Sequence, residues 1–180
     1  KPFPQGFVGN EALLRGLFAA DAVQIFHRDA PLLEEGALDL DAEEQRALLH
    51  FLRKRGGGVW STDCLSCEFE PAAAYPERLA GIIAIFIGPT EDYVMLFGRR
   101  RTRFKVRWGA RPAALSPAAD DTSPWSTRRF EPWEEERIHH APPWTRSELG
   151  TAEALRNLTQ EVIVASAAHF EVLALRDGLT

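Results

Sequence analysis

Cysteine is scarce in this chain, two residues among 180, so a fold stapled by several disulfides is excluded. Long hydrophobic runs are lacking too. The longest, Leu79 to Gly88, is ten residues, against the roughly 20 that a membrane-spanning helix needs. The N-terminal stretch from Lys1 to Gly9 has no apolar core of the kind a secretory signal carries. Lys1 stands where a start methionine would, so a fragment of something longer is expected, in the cytoplasm. Enzyme fingerprints are missing as well. There is no G-x-S-x-G elbow, no Walker A loop and no dinucleotide-binding motif. Gly56, Gly57 and Gly58 lack the lysine and following helix start of a phosphate loop, and read as a helix stop and turn. Nothing points to an enzyme, and no catalytic residue is assigned.

What is present suits a globular domain. Apolar residues make up 45% of the chain, 18 residues are aromatic and the net charge is −5, which argues against general disorder. A chain of this size hides roughly 70% of its unfolded surface on folding.

Two asymmetries interrupt the average. Residues 99–111 carry seven basic groups, Arg99, Arg100, Arg101, Arg103, Lys105, Arg107 and Arg111, and no acid; the rest of the chain is −12. Trp108, Trp125, Trp133 and Trp144, four of the five tryptophans, fall within 37 residues that also hold six of the twelve prolines.

Local patterns give the elements. Leu13, Leu14, Leu17 and Phe18 share one side of a helix over 10–19, with Asn10 as N-cap. Val23, Ile25 and His27 alternate with Ala22, Gln24 and Phe26, a strand. Asp41 and Glu44 form a capping box for a helix ending in Arg53, Lys54 and Arg55 before Gly56. Val59–Thr62 is a short strand. The apolar run 81–88 reads as a central strand, joined by a turn to a second strand over Tyr93–Phe97. Arg101 to Trp108 alternates strictly, a half-buried strand with a basic face. Periodicity is then lost to about residue 141, a length usual only for functional loops. A long helix over 146–176 carries Leu155, Leu158, Val162, Ala165, His169 and Val172 at heptad spacing, beside a second stripe of Ile163, Ser166, Phe170 and Leu173. Consecutive strands between helices make the fold α+β with an antiparallel sheet.

The chemistry-bearing residues read mostly as structural. Cys64-Leu-Ser-Cys67 has C-x-x-C spacing, but zinc needs further ligands, and His139 and His140, adjacent on one backbone, rarely both reach one metal. A redox dithiol opens a helix after a strand; here acidic Glu68 follows the second cysteine. Two loop cysteines with no shared role are expected, and no metal site. Glu134, Glu135 and Glu136 read as a solvated face. His169 lacks the basic residue or proline that follows a kinase phosphoacceptor. The basic run is set against nucleic acid by its strand alternation and by the acidity of the remainder; a basic face pairing with acids of this domain or a neighbour is the simpler reading.

The order of elements, the hairpin 81–97 and Trp108-Gly109-Ala110-Arg111-Pro112 resemble the PHY domain of phytochromes, especially bacterial ones. That family has a GAF-like antiparallel sheet flanked by helices, a protruding tongue hairpin and a long C-terminal helix. Its tongue carries a tryptophan-glycine motif, then P-R-x-S-F and W-x-E. Trp108-Gly109 resembles the first, and Trp133-Glu134-Glu135 matches the last at the family's spacing from Phe130. The middle motif departs: it reads Ser126-Thr127-Arg128-Arg129-Phe130, where strict alignment puts Thr127 at the family's arginine and a one-residue deletion puts Arg128 there.

The resemblance implies one domain over 1–180, with a core of about 8–108 and 142–176 and a tongue of about 109–141. It implies that Trp108, Gly109, Arg128, Phe130, Trp133 and Glu135 contact a neighbouring bilin-binding GAF domain. It also implies a tongue arm that switches between strand and helix; Pro132 breaks a long strand, and Trp133–Arg137 is a fair helix start. No cofactor is expected in this domain; a biliverdin-type bilin is expected in the neighbour. Leu155, Leu158, Val162, Ala165 and Val172 would form the seam that passes the signal to an output module and joins a homodimer. Neither nucleic acid nor membrane is an expected partner. The other reading, from a different class, is a GAF-like sensory or dimerisation module of a light-independent regulator.

Overall fold

The computed structural model describes residues 6–36, 38–102, 104–108, 133–137 and 139–177; for 104–108, 133–137 and everything after Ala165 it describes backbone only. The chain divides into two units. One comprises Lys1–Arg101 and His139–Thr180, the other Thr102–Ile138.

In the first unit the order is α1 (Glu11–Leu17), β1 (Ala22–His27), β2 (Ala30–Glu35), α2 (Ala42–Arg55), β3 (Val59–Thr62), α3 (Leu65–Glu68), a 3-10 turn (Glu70–Ala74), β4 (Gly81–Ile87) and β5 (Tyr93–Arg99). The five strands form one antiparallel sheet in the order β2-β1-β5-β4-β3. Every residue of β4 is buried, because both faces of the sheet are covered. Ile82, Ala84 and Phe86 join Leu48, Leu49 and Leu52 of α2 on one face. Ile83, Ile85 and Ile87 join Leu14 and Phe18 from around α1 on the other. That explains the unbroken apolar run: a strand with two dry faces has no polar side to alternate with.

Local signals account for the helices unevenly. Asp41 Oδ1 accepts from Glu43 and Glu44 N–H at 2.8 Å each, and Glu44 Oε2 accepts from Asp41 N–H at 2.9 Å, so the capping box is complete. Asn10 caps α1 by position but makes no side-chain cap bond; instead Gly9 N–H donates to Glu11. Of the expected apolar side of α1, Leu14 and Phe18 are buried while Leu13 and Leu17 are exposed.

The last element of this unit, which follows residues 102–138 in the chain, is a long helix, Arg146–Asp177. Numbered in chain order, the second unit holds β6 (Phe104–Trp108) and β7 (Trp133–Arg137), and the long helix is α4. Ala152 is buried, and Leu149, Leu155 and Ile163 pack against the same cluster as α1. Among the described residues no helix is long and apolar enough to cross a membrane.

β6 and β7 pair antiparallel, with Trp108 opposite Trp133, Arg107 opposite Glu134, Val106 opposite Glu135 and Lys105 opposite Glu136. Periodicity alone gives 109–141 no element, and the resemblance implies a tongue arm that is either strand or helix, Trp133–Arg137 being a fair helix start; in the structure Trp133–Arg137 is a strand. Strand pairing overrides a weak helix preference in five residues that alone cannot nucleate a helix. β6 is present as expected, but in a two-stranded sheet of its own rather than in the five-stranded one.

Candidate functional site

The chain leaves the first unit after Arg101 and returns to it at His139. The residues on either side of that excursion, all within the first unit, form a dense polar junction with the start of α4.

Its centre is Arg99, the last residue of β5, which is 5% exposed. Its guanidinium donates to the Phe18 carbonyl at 2.6 Å and to the carbonyls of Pro142 and Pro143 at 3.1 and 3.3 Å. It pairs with the Glu148 carboxylate, and its guanidinium carbon lies 3.8 Å from the centroid of the Trp144 ring. A buried guanidinium is tolerated only when its donors are used, and here a carboxylate, three carbonyls and a ring face use them.

Glu148 serves twice. Its Oε2 accepts from the Thr145 N–H at 2.8 Å and from the Thr145 hydroxyl at 2.9 Å, while Thr145 Oγ1 accepts from the Glu148 N–H at 3.2 Å. This is a capping box at the start of α4. Its Oε1 holds Arg99. Burial alone pushes the Glu148 carboxyl up; the Thr145 N–H, its hydroxyl and then Arg99 more than reverse this, so the group sits below the usual glutamate range. Thr145-x-x-Glu148 is a local signal for this cap in the sequence, whereas nothing local separates Arg99 from the other six basic residues of 99–111.

The other side of the junction is the end of β3. Trp144 Nε1 donates to the Thr62 carbonyl at 2.9 Å, Ala141 N–H to the Asp63 carbonyl at 2.8 Å, and His140 Nδ1 lies 3.4 Å from Asp63 Oδ2. Gly81, at the start of β4, leaves room for this segment: a Cβ there would sit 2.6 Å from Ala141 Cβ. Ala141 itself is fully buried.

Asp63 is followed by Cys64. The two cysteines expected to share no role are joined by a disulfide, with Cα atoms 5.4 Å apart. The four-residue helix α3 lies at the pair and brings the two thiols to the same side. The two sulfurs and a ring nitrogen of His140 all lie within 4.8 Å of one another. His139 and His140 do not act as a pair: His140 alone reaches the cysteines, from 73 or more residues along the chain, a separation no local pattern signals.

The basic run begins within the described residues. Arg100 pairs with Asp39 at 3.7 Å and its N–H donates to Asp21 at 2.7 Å; Arg101 pairs with Glu77. Together with Arg99–Glu148, the first three basic residues meet acids of their own unit. Lys105 and Arg107 lie in register with Glu136 and Glu134, positions at which opposite charges favour pairing.

Of the expected tongue residues, Trp108, Trp133 and Glu135 are on β6 and β7, with the two tryptophans at opposing register positions. Gly109, Arg128 and Phe130 lie outside the described residues. On α4 the expected seam does not share one environment: Leu155 packs on the core, whereas Leu158, Val162 and Ala165 are exposed. Val164, outside that seam, is exposed too. The side chains of His169 and Val172 lie outside the described part.

Comparison with known proteins points one way. A family profile described as Phytochrome region matches residues 1–168. A bacteriophytochrome of Pseudomonas aeruginosa is 29% identical over 99 residues, which is 53% of this chain and 13% of that protein. The crystal structure of a bacteriophytochrome from the photosynthetic bacterium R. palustris is similar at a TM-score of 0.72 and 26% identity, over 89% of this chain and 32% of that one. The photosensory core module of a Stigmatella aurantiaca phytochrome is similar at 0.69 and 26%, with the same coverage. The chain therefore spans about a third of the solved relatives and less of the curated one.

Proposed function

The chain belongs to the phytochrome-region family, and from that premise we propose that it is the signal-relay domain of a red/far-red photoreceptor of bacteriophytochrome type. The bilin resides in a neighbouring GAF domain. The segment 109–141, with Trp108, Gly109, Arg128, Phe130, Trp133 and Glu135, contacts that domain and follows its state. The relay is not itself an enzyme; a kinase or other output module of the full-length protein receives the signal through α4, with Leu158, Val162 and Ala165 available to a second copy.

The observation that carries this reading is the Arg99–Glu148 pair. It links both chain ends of the 102–138 excursion to the first turn of α4. Any pull on Pro142, Pro143 or Trp144 bears on the group that caps the helix. A relay needs two arrangements separated by only a few kcal/mol, and a group that answers to both ends of the path.

The test uses this chain joined to its upstream bilin-binding domain and loaded with biliverdin. Deleting residues 109–132 is expected to leave the bilin attached but to abolish a stable light-induced state in red/far-red difference spectra. The 180-residue chain alone is expected to gain no red band from biliverdin. Unchanged photoconversion in the deletion, or a covalent red-absorbing adduct on this chain alone, would overturn the assignment. An upstream sequence without a bilin-binding GAF domain would favour the light-independent sensory module instead.

A further inference from the structure

The junction contains a group of residues that the relay role does not use: Cys64, Cys67 and His140. We propose that, once the Cys64–Cys67 bond is reduced, the two sulfurs and His140 bind one zinc ion.

Three observations support the site. The three candidate donor atoms already lie within 4.8 Å of one another; the two sulfurs, bonded to each other in the disulfide, move apart on reduction to the separation that two thiolates on one tetrahedral ion need. The donor set of two thiolates and an imidazole is soft and borderline, which selects zinc over calcium or magnesium. The donors are carried on fixed backbone. Cys64 N–H donates to Thr62 Oγ1 at 3.1 Å, Leu65 N–H to the Ala80 carbonyl at 2.7 Å, and Ala141 N–H to the Asp63 carbonyl at 2.8 Å. Asp63 adds a carboxylate beside the imidazole, 3.4 Å from Nδ1. Such a carboxylate orients a ligating histidine or completes the coordination itself.

Burial favours an openable bond. Cys64 is buried and Cys67 exposed, so an external thiolate reaches the Cys67 sulfur. Attack there forms a mixed disulfide on Cys67 and releases Cys64 as thiolate; a second thiol resolves it. The net change consumes two thiols of a cellular dithiol or of glutathione, yields their disulfide and leaves both cysteines reduced. Zinc then displaces two protons, one from each thiol. The two states are exclusive, since sulfurs bonded to each other as a disulfide cannot serve as two thiolate ligands. Oxidised, the pair closes a local loop of its own; reduced and zinc-bound, it ties residues 64 and 67 to residue 140, at the point where the chain returns from its excursion.

The experiment titrates the 180-residue chain with Zn2+ against a chromophoric chelator, first as oxidised protein and then after phosphine reduction and anaerobic desalting. One zinc per chain is expected in the reduced protein and none in the oxidised protein. Co2+ in place of zinc should give the intense thiolate-to-metal absorption of a two-sulfur site. Cys67→Ser should abolish that absorption, and Asp63→Asn should weaken zinc binding about 10–100-fold. In the wild type, which avoids any question of a variant's folding, zinc should protect both cysteines from alkylation. Equal zinc binding by reduced and oxidised protein, or unchanged alkylation with zinc present, would overturn the proposal and leave a structural disulfide. Neither result touches the photoreceptor assignment, which is read from bilin spectra.

Discussion

Arg99 places its guanidinium carbon 3.8 Å from the centre of the Trp144 ring while the same group holds Glu148. One side chain at the end of a central strand thus grips the segment before α4 and its first turn together. Replacing Arg99 by Met leaves Glu148 part-buried with its cap but no counter-charge. A loss of about 3–5 kcal/mol is expected in urea unfolding followed by far-UV circular dichroism. The double variant Arg99→Met with Glu148→Leu should recover part of it, because apolar groups of similar size often replace a buried ion pair at little cost. A wild-type midpoint in the single variant would remove Arg99 from the centre of the junction.

The Glu148 carboxyl gives that pair a pH signature. Its folded pKa lies below the ordinary value, which is about 4.3 in an unfolded chain. A depressed carboxylate contributes stability that is complete above the unfolded value and disappears as pH falls through the folded one. The stability gap between wild type and Glu148→Gln should therefore be flat above about pH 5.5 and shrink below about 4.3. Urea midpoints for the two proteins across pH 3–7 decide it; a gap that stays constant to the acid end would mean that the charge of Glu148 contributes nothing.

Trp144→Phe keeps a ring beneath Arg99 but removes the N–H that bonds the Thr62 carbonyl. One net hydrogen bond and part of the cation–π attraction are lost, about 1–2 kcal/mol together. Chemical denaturation measures this, and a loss below about 0.5 kcal/mol would show that the indole N–H is dispensable.

Gly81→Val tests the tight approach at Ala141. The new Cβ meets Ala141 Cβ at 2.6 Å and the Thr62 carbonyl at 3.3 Å, and neither partner is the far end of a flexible side chain. A destabilisation of about 1–3 kcal/mol is expected from overpacking, with faster hydrogen exchange at the Ala141 amide. Unaltered exchange there would mean that the return segment is held by something other than this fit.

Arg128→Ala, in the full-length receptor, is expected to slow or block photoconversion, on a scale of roughly 2–5 kcal/mol if its partner carboxylate is buried. Difference spectra after red illumination read the effect directly; a normal photocycle would exclude Arg128 as the tongue arginine.

Features legible in the sequence were those whose cause is local. Asp41 and Glu44 are three residues apart and cap one another, so the pattern and the bonds are the same fact. The run from Gly81 to Ile87 declared itself by having no polar residue to expose. β2 was invisible for the opposite reason. It holds Pro31 and two glutamates, and only Leu33 is buried; it is a strand because β1 offers it an edge. The same holds for Trp133–Arg137, whose conformation is set by residues 104–108. The junction was hidden by distance along the chain. Arg99 and Glu148 are 49 residues apart, and His140 and Asp63 77. Charge arithmetic makes pairing of the basic run with acids the simpler reading, but only the fold shows which acids meet Arg99, Arg100 and Arg101.

The bonds that seat residues 139–144 end mostly on main-chain oxygens: those of Thr62, Asp63, Pro142 and Pro143. A carbonyl is supplied by every residue type, so substitution at any of these four positions leaves the acceptor in place. The mount can thus outlast the sequence drift of what it carries. None of these bonds involves a residue between Arg101 and His139, so a segment from another family member spliced in there would leave every one of them in place.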